Sequence, residues 1–244
     1  MTLQNRSLRR FAAATLPFAP IGILLGWAGM RLAGGYGDEP FWTIAHLIWL
    51  PSYALLAIGF IALNRLTRAT AESAHIPETA GADDAPGTAG TNHIPGPASR
   101  FVSGLALTTA VLGTIAVTAQ MVIDLVLGFA TSDEASMSDL SDRLQSVPGV
   151  ELAVYEIGPA LLFLGMLLIT IHAAVRRTVP AYTAVLVVLG IAISVLEPIF
   201  GLPLRLPMVA TIILFWFAAR PITRALRHPE LAATASQARN HATA

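Results

Sequence analysis

The chain reads as an all-α integral membrane protein, a bundle of six transmembrane helices with both termini in the cytoplasm and a short amphipathic helix outside. Three observations predict this. Of its 244 residues, 55% are apolar and only 12% are charged, roughly half the charged share of a soluble domain, so much of its surface must face something other than water. The apolar residues fall in long blocks instead of the short periodic runs of a soluble core. The basic residues gather at one set of block ends, which orients the blocks.

A spanning helix needs about 20 apolar residues to cross a hydrocarbon layer about 30 Å thick. Residues 11–33, 41–63, 101–130, 150–175 and 181–200 meet that requirement. Residues 204–219 reach only about 24 Å at 1.5 Å per residue and are expected to span with local bilayer thinning; the rival arrangement is a re-entrant hairpin with the fifth block. The basic start, Arg9-Arg10-Phe11, resembles a secretory leader, but Pro17 and Pro20 interrupt the run and further blocks follow, so it reads as a retained first helix. Within it Gly22, Gly26 and Gly29 share a face that permits close helix approach inside the bundle.

Arginine placement fixes the orientation. With the N-terminus inside, the cytoplasmic side receives Arg6, Arg9, Arg10, Arg65, Arg68, Arg100, Arg176, Arg177, Arg220, Arg224, Arg227 and Arg239, against Arg31, Arg143 and Arg205 outside. The inverted topology reverses that asymmetry, and a plasma membrane, naturally a bacterial inner membrane, is the expected setting. The whole chain, 1–244, is read as one transmembrane domain. It has a disordered cytoplasmic loop at 67–99, rich in Ala, Gly, Thr and Pro, an outer loop at 131–149 and a cytoplasmic tail at 228–244. In the outer loop Met137, Leu140, Leu144 and Val147 recur at helical spacing, with Asp139, Asp142 and Arg143 on the other face and Pro148-Gly149 as a stop. Such a helix either covers what the bundle opens toward or is a plain interfacial linker.

Composition excludes several chemistries. Without cysteine there is no disulfide, thiolate nucleophile or Cys-ligated metal, and without lysine no Schiff base forms. Net charge is zero, and no nucleotide-binding loop, Ser-His-Asp pattern or nucleic-acid motif is present, so no nucleic-acid partner is expected. The two His-Ile-Pro triplets at 75–77 and 93–95 lack neighbouring ligands and read as coincidence. No cofactor and no metal is expected.

Ionisable residues inside spans cost a few kcal/mol each on insertion scales and are functional candidates by default. His46, Asp124, Glu156 and Glu197 all fall near the outer ends of their blocks, whereas His172 lies beside Arg176 at the inner interface, where snorkelling accounts for it. In the third block Ser103, Ala106, Ala110, Gly113, Val117, Gln120 and Asp124 form a small and polar face; Thr183, Val187, Gly190, Ser194 and Glu197 repeat the pattern in the fifth. Trp42, His46, Trp49 and Tyr53 share one side of the second. These spacings predict an outward-opening pocket. Its catalytic candidates are Asp124, Glu156, Glu197 and His46, its substrate-contacting candidates Gln120, Trp42, Trp49 and Tyr53, and the outer helix is its cover. The competing arrangement leaves Asp124 and Glu156 at the interface, with Pro159 starting a helix just after Glu156 and the tryptophans in an aromatic belt.

Three functions fit. The first is a non-catalytic sensor or partner subunit that contacts a protein through its cytoplasmic loop or outer helix. The second is a membrane-embedded acid–base enzyme, of cyclase or isomerase type, acting on a lipid-soluble molecule. The third is a proton-linked carrier, opposed by the lack of an acid at the bilayer midplane.

Overall fold

A computed structural model describes residues 3–32, 39–73, 97–200, 205–231 and 234. Among these no strand occurs, and the elements are α1 (Leu3–Thr15), α2 (Phe18–Leu32), α3 (Glu39–Ser73), α4 (Pro97–Ala130), α5 (Glu134–Gln145), a π-helical segment (Glu151–Ile157), α6 (Gly158–Val175), α7 (Ala181–Phe200) and α8 (Arg205–Arg227). Four helical stretches, Pro40–Ala71, Arg100–Ala130, Glu151–Val175 and Pro207–Arg227, are long and apolar enough to cross a membrane, and α1 with α2 makes a fifth if the bent pair is one span. That is compatible with a multi-pass membrane protein.

Several boundaries differ from the sequence expectation. The first block is broken: α1 and α2 meet at 44°, at Leu16 and Pro17, where proline supplies no amide hydrogen to carry the helix through. The sixth block, expected to be short at 204–219, belongs to a helix of 23 residues that continues past Ala219 to Arg227. Its extension is basic, and the Arg220 guanidinium lies over the Trp216 ring, 3.8 Å from its centroid, a cation–π contact. The fifth, by contrast, is described as apolar helix only over Ala181–Val195. The loop expected at 67–99 is helical at both ends: α3 runs to Ser73 and α4 starts at Pro97, with the Thr67 and Thr70 hydroxyls donating to the Leu63 and Leu66 carbonyls at 2.9 Å. Residues 74–96, both His-Ile-Pro triplets included, lie outside the described residues.

The core sits where small residues let helices touch. A Cβ at Gly113 of α4 would collide with the Leu162 backbone of α6, and one at Gly165 of α6 with the Ala110 backbone of α4. Each helix therefore presents a glycine to the other's main chain, the close approach expected where packing replaces hydrophobic drive. Gly22 and Gly26 bring α2 against Ser52 and Trp49 of α3 in the same way, while Gly29 meets open space. Met166, Ile169, Val187, Phe215, Ile222 and Leu63 fill the centre. At one end Arg227 of α8 donates to the Ala13 carbonyl near the C-terminus of α1 at 3.4 Å, a cation placed where helix carbonyls lack partners.

Helix α5 forms as its spacing predicts, except that Val147 lies beyond its end and is exposed. Asp133 is its N-cap, its carboxylate accepting from the Ser136 amide at 2.8 Å. That amide, followed by the Ser136 side chain, holds the Asp133 carboxyl below its ordinary value of 3.8. A depressed acid stabilises the fold fully above its unfolded value and loses that contribution as pH falls through the folded one. Protection of the first-turn amides of α5 against hydrogen exchange, taken relative to the intrinsic rate at each pH, should therefore fall below about pH 4. In Asp133→Asn, which caps without titrating, that fall should vanish; its persistence would mean that the cap does not govern the first turn.

Candidate functional site

One ladder on α3 and one position on α4 build the site. Trp42, His46 and Trp49 follow at helical spacing on α3, so their rings stack along one face: Trp42 and His46 centroids lie 4.5 Å apart, and His46 meets Trp49 edge-on at 5.0 Å. The Trp49 indole N–H donates to the Ile23 carbonyl of α2 at 2.9 Å, and that of Trp42 donates to the Asp124 main-chain carbonyl of α4 at 2.8 Å. Both indoles thus tie α3 to its neighbours.

His46 and Asp124 converge as the sequence predicts. His46 Nε2 lies 3.4 Å from Asp124 Oδ2, with the side chains 2% and 9% exposed. The other carboxylate oxygen accepts from the Tyr155 hydroxyl at 3.1 Å. His46 Nδ1 is 2.8 Å from the Trp42 carbonyl. A carbonyl only accepts, so Nδ1 must carry the hydrogen. Nε2 faces the carboxylate, and the pair is enclosed by two indoles and a phenol.

The remaining candidates are placed differently. Glu156 is exposed and does not join the pair; its neighbour Tyr155 does, because the buried face of α6, with Gly158, Leu162, Gly165, Ile169 and Ala173, extends back through Tyr155 at the same spacing. Among the described residues His46 and Asp124 meet, and Glu156 does not join them. The Glu197 side chain lies outside the described residues. Gln120 is half-buried one turn before Asp124, and Tyr53 is half-buried one turn beyond Trp49. Pro159 occupies the first turn of α6 as expected, but the helix before it is continuous through the π segment, a form that recurs at functional positions.

Helix α5 packs against this part of α3 and α4. Met137 of α5 is 1% exposed and packs with Trp42 and Leu127, flanked by Leu140 and Leu144. Trp42 thus carries α5 on one side and His46 on the other. Among the described residues no group of three or more His, Asp or Glu is arranged to hold a metal ion. Along the buried row of α4, Ser103 donates to Asn64 Oδ1 at 2.9 Å, and on α7 Ser194 meets Thr211 of α8 at 3.1 Å beside the Gly190 carbonyl; these polar contacts tie helices together away from the His46–Asp124 pair. Comparison with protein-family models, characterised proteins and solved structures finds no match to this chain.

Proposed function

We propose that this chain is a non-catalytic multi-pass protein of the plasma membrane, a sensor or partner subunit. Its bundle has six spans with both termini in the cytoplasm, and the His46–Asp124–Tyr155 cluster is a polar latch beneath α5. The observation that carries this reading is that both Asp124 carboxylate oxygens are already engaged, by Tyr155 and by His46. A catalytic acid must reach a substrate proton, whereas these groups reach one another under a closed cover. The contact joins α3 to α4 at the point where Trp42 supports Met137, which links its integrity to the seating of α5. The topology rests on the arginine asymmetry and on Arg220 stacked over Trp216, an arginine–aromatic anchor at the cytoplasmic end.

The chain contains no cysteine, so single cysteines test both parts. Ser138→Cys on α5 should react with a membrane-impermeant maleimide in intact cells, and Thr234→Cys only after permeabilisation. A spin label attached to the Ser138→Cys variant should gain mobility when Asp124→Ala breaks the contact with His46 and Tyr155. Unchanged mobility would remove the latch, and would favour a site that must open to admit a lipid-soluble substrate, the enzyme reading.

A further inference from the structure

At the arginine-rich end, far from the latch, the turn joining α6 to α7 and the last turns of α8 enclose a cavity of about 600 Å³, within the range of about 300–1,000 Å³ typical of ligand pockets. We propose that this cavity binds a phosphate group, and that the group belongs to the headgroup of an acidic phospholipid.

The turn is built with an arginine where glycine would be easier. Thr178 N–H bonds to the Ala173 carbonyl and Arg177 N–H to the Ala174 carbonyl, both at 2.9 Å, the double bond of a helix C-terminus whose pivot residue is left-handed. That pivot is Arg177, at φ 61°, the one non-glycine residue with positive φ among those described. Glycine takes this conformation freely, and an L side chain does so under strain. A strained non-glycine pivot is a pointer to function when its side chain faces a site, and Arg177 lines the cavity together with Arg224 and His228.

A second observation points to a missing acceptor. Thr178 lines the cavity, is 4% exposed, and its hydroxyl has no hydrogen-bond partner among the described residues. Buried hydroxyls are nearly always satisfied. Rotation of the side chain toward the cavity would let a phosphate oxygen accept from it, while the two guanidinium groups offer forked donors matched to phosphate geometry. No carboxylate is among the cavity's lining residues; the nearest acid in sequence, Glu230, pairs with His228 at 3.2 Å. Tyr182 and Pro221 add apolar wall, and Arg220 on Trp216, one turn before Arg224 on α8, sets the level of the membrane interface. That depth favours a lipid headgroup over a soluble phosphate ester.

The test compares binding of phosphatidylglycerol, phosphatidylcholine and glycerol 3-phosphate to the full purified chain. Native mass spectrometry serves for the lipids, and the melting-temperature shift for all three. Phosphatidylglycerol should bind in preference to phosphatidylcholine, and Arg224→Gln should weaken it roughly tenfold or more, the value of a charge-assisted hydrogen bond. Arg177→Gly separates function from structure. Relief of the pivot's strain should raise the melting temperature of the unliganded protein, and loss of the guanidinium should weaken lipid binding by a similar factor. Arg220→Gln, equally basic but outside the cavity, should change binding little. Equal losses in Arg220→Gln and Arg224→Gln, or full affinity in Arg177→Gly, would overturn the site. Glycerol 3-phosphate bound with the same variant pattern while the lipid is not would keep the phosphate site and overturn its lipid source.

Discussion

Gly113→Val should prevent the bundle from assembling. The added Cβ would meet the Leu162 amide nitrogen and Cα, main-chain atoms that no side-chain rotation can clear, and one turn away Gly165 stands equally close to the Ala110 backbone. Ordinary overpacking costs about 1–3 kcal/mol because neighbouring side chains give way. Here α6 itself would have to move off α4, taking with it the alignment of Asp124 with Tyr155. A loss above about 4 kcal/mol is expected, a range reached only by such core disruptions. Even Gly113→Ala should lower the melting temperature in detergent by several degrees. Gly104, on the same helix with nothing near its Cβ position, supplies the opposite sign: Gly104→Ala should be neutral or stabilising by up to about 1 kcal/mol from helix propensity. If both alanine variants melt alike, the close α4–α6 contact does not exist in the protein.

What was legible in the sequence divides along a physical line. Spacing predicts faces well, because a residue's direction from a helix depends only on the 3.6-residue turn. Ser103, Ala106, Ala110, Val117 and Asp124 are all buried, and Met137 lies on the inward side of α5. Hydropathy predicts helix ends poorly, because it registers where lipid stops and not where backbone hydrogen bonding stops. Arg65 and Arg68, then Arg220 and Arg224, end the apolar counts, yet α3 and α8 continue through them. Their long side chains reach water from a helix that has not ended. The break at Leu16 and Pro17 was marked by proline but not its angle, which depends on what α1 packs against. Choosing site residues by charge also misdirects: the cost of burial that singles out Glu156 applies only if the residue faces the interior, and it is exposed beside half-buried Tyr155 in the π-helical segment. The packing row through Gly158, Leu162 and Gly165 pointed to Tyr155 instead. No count of charges reveals a neutral phenol as the third member of the cluster.

The latch itself should register as a large coupling between His46 and Asp124. Asp124→Ala leaves the imidazole and the Tyr155 hydroxyl without their partner in a place 2% to 9% exposed, and breaking a buried pair from one side costs about 3–5 kcal/mol. His46→Ala strands the carboxylate and should cost a similar amount. The double variant should lose much less than the sum, since neither uncompensated group remains. The size of the coupling then identifies the interaction. Hydrogen bonds between membrane helices couple by about 0.6 kcal/mol on average and about 1.7 at most, whereas close charged pairs couple by about 1.5–7 kcal/mol. Two single variants check the geometry around it. Tyr155→Phe removes one hydrogen bond to a carboxylate and should cost about 1.5 kcal/mol or more. Glu156→Gln, at an exposed position, should stay within about 0.5. A coupling near the membrane-helix average would reduce the pair to an ordinary polar tie between α3 and α4. A cost for Glu156→Gln as large as that for Tyr155→Phe would turn the start of α6 the other way round, bringing a second carboxylate into the cluster and restoring the acid–base enzyme reading, which needs one acid free to act while the other is held by His46.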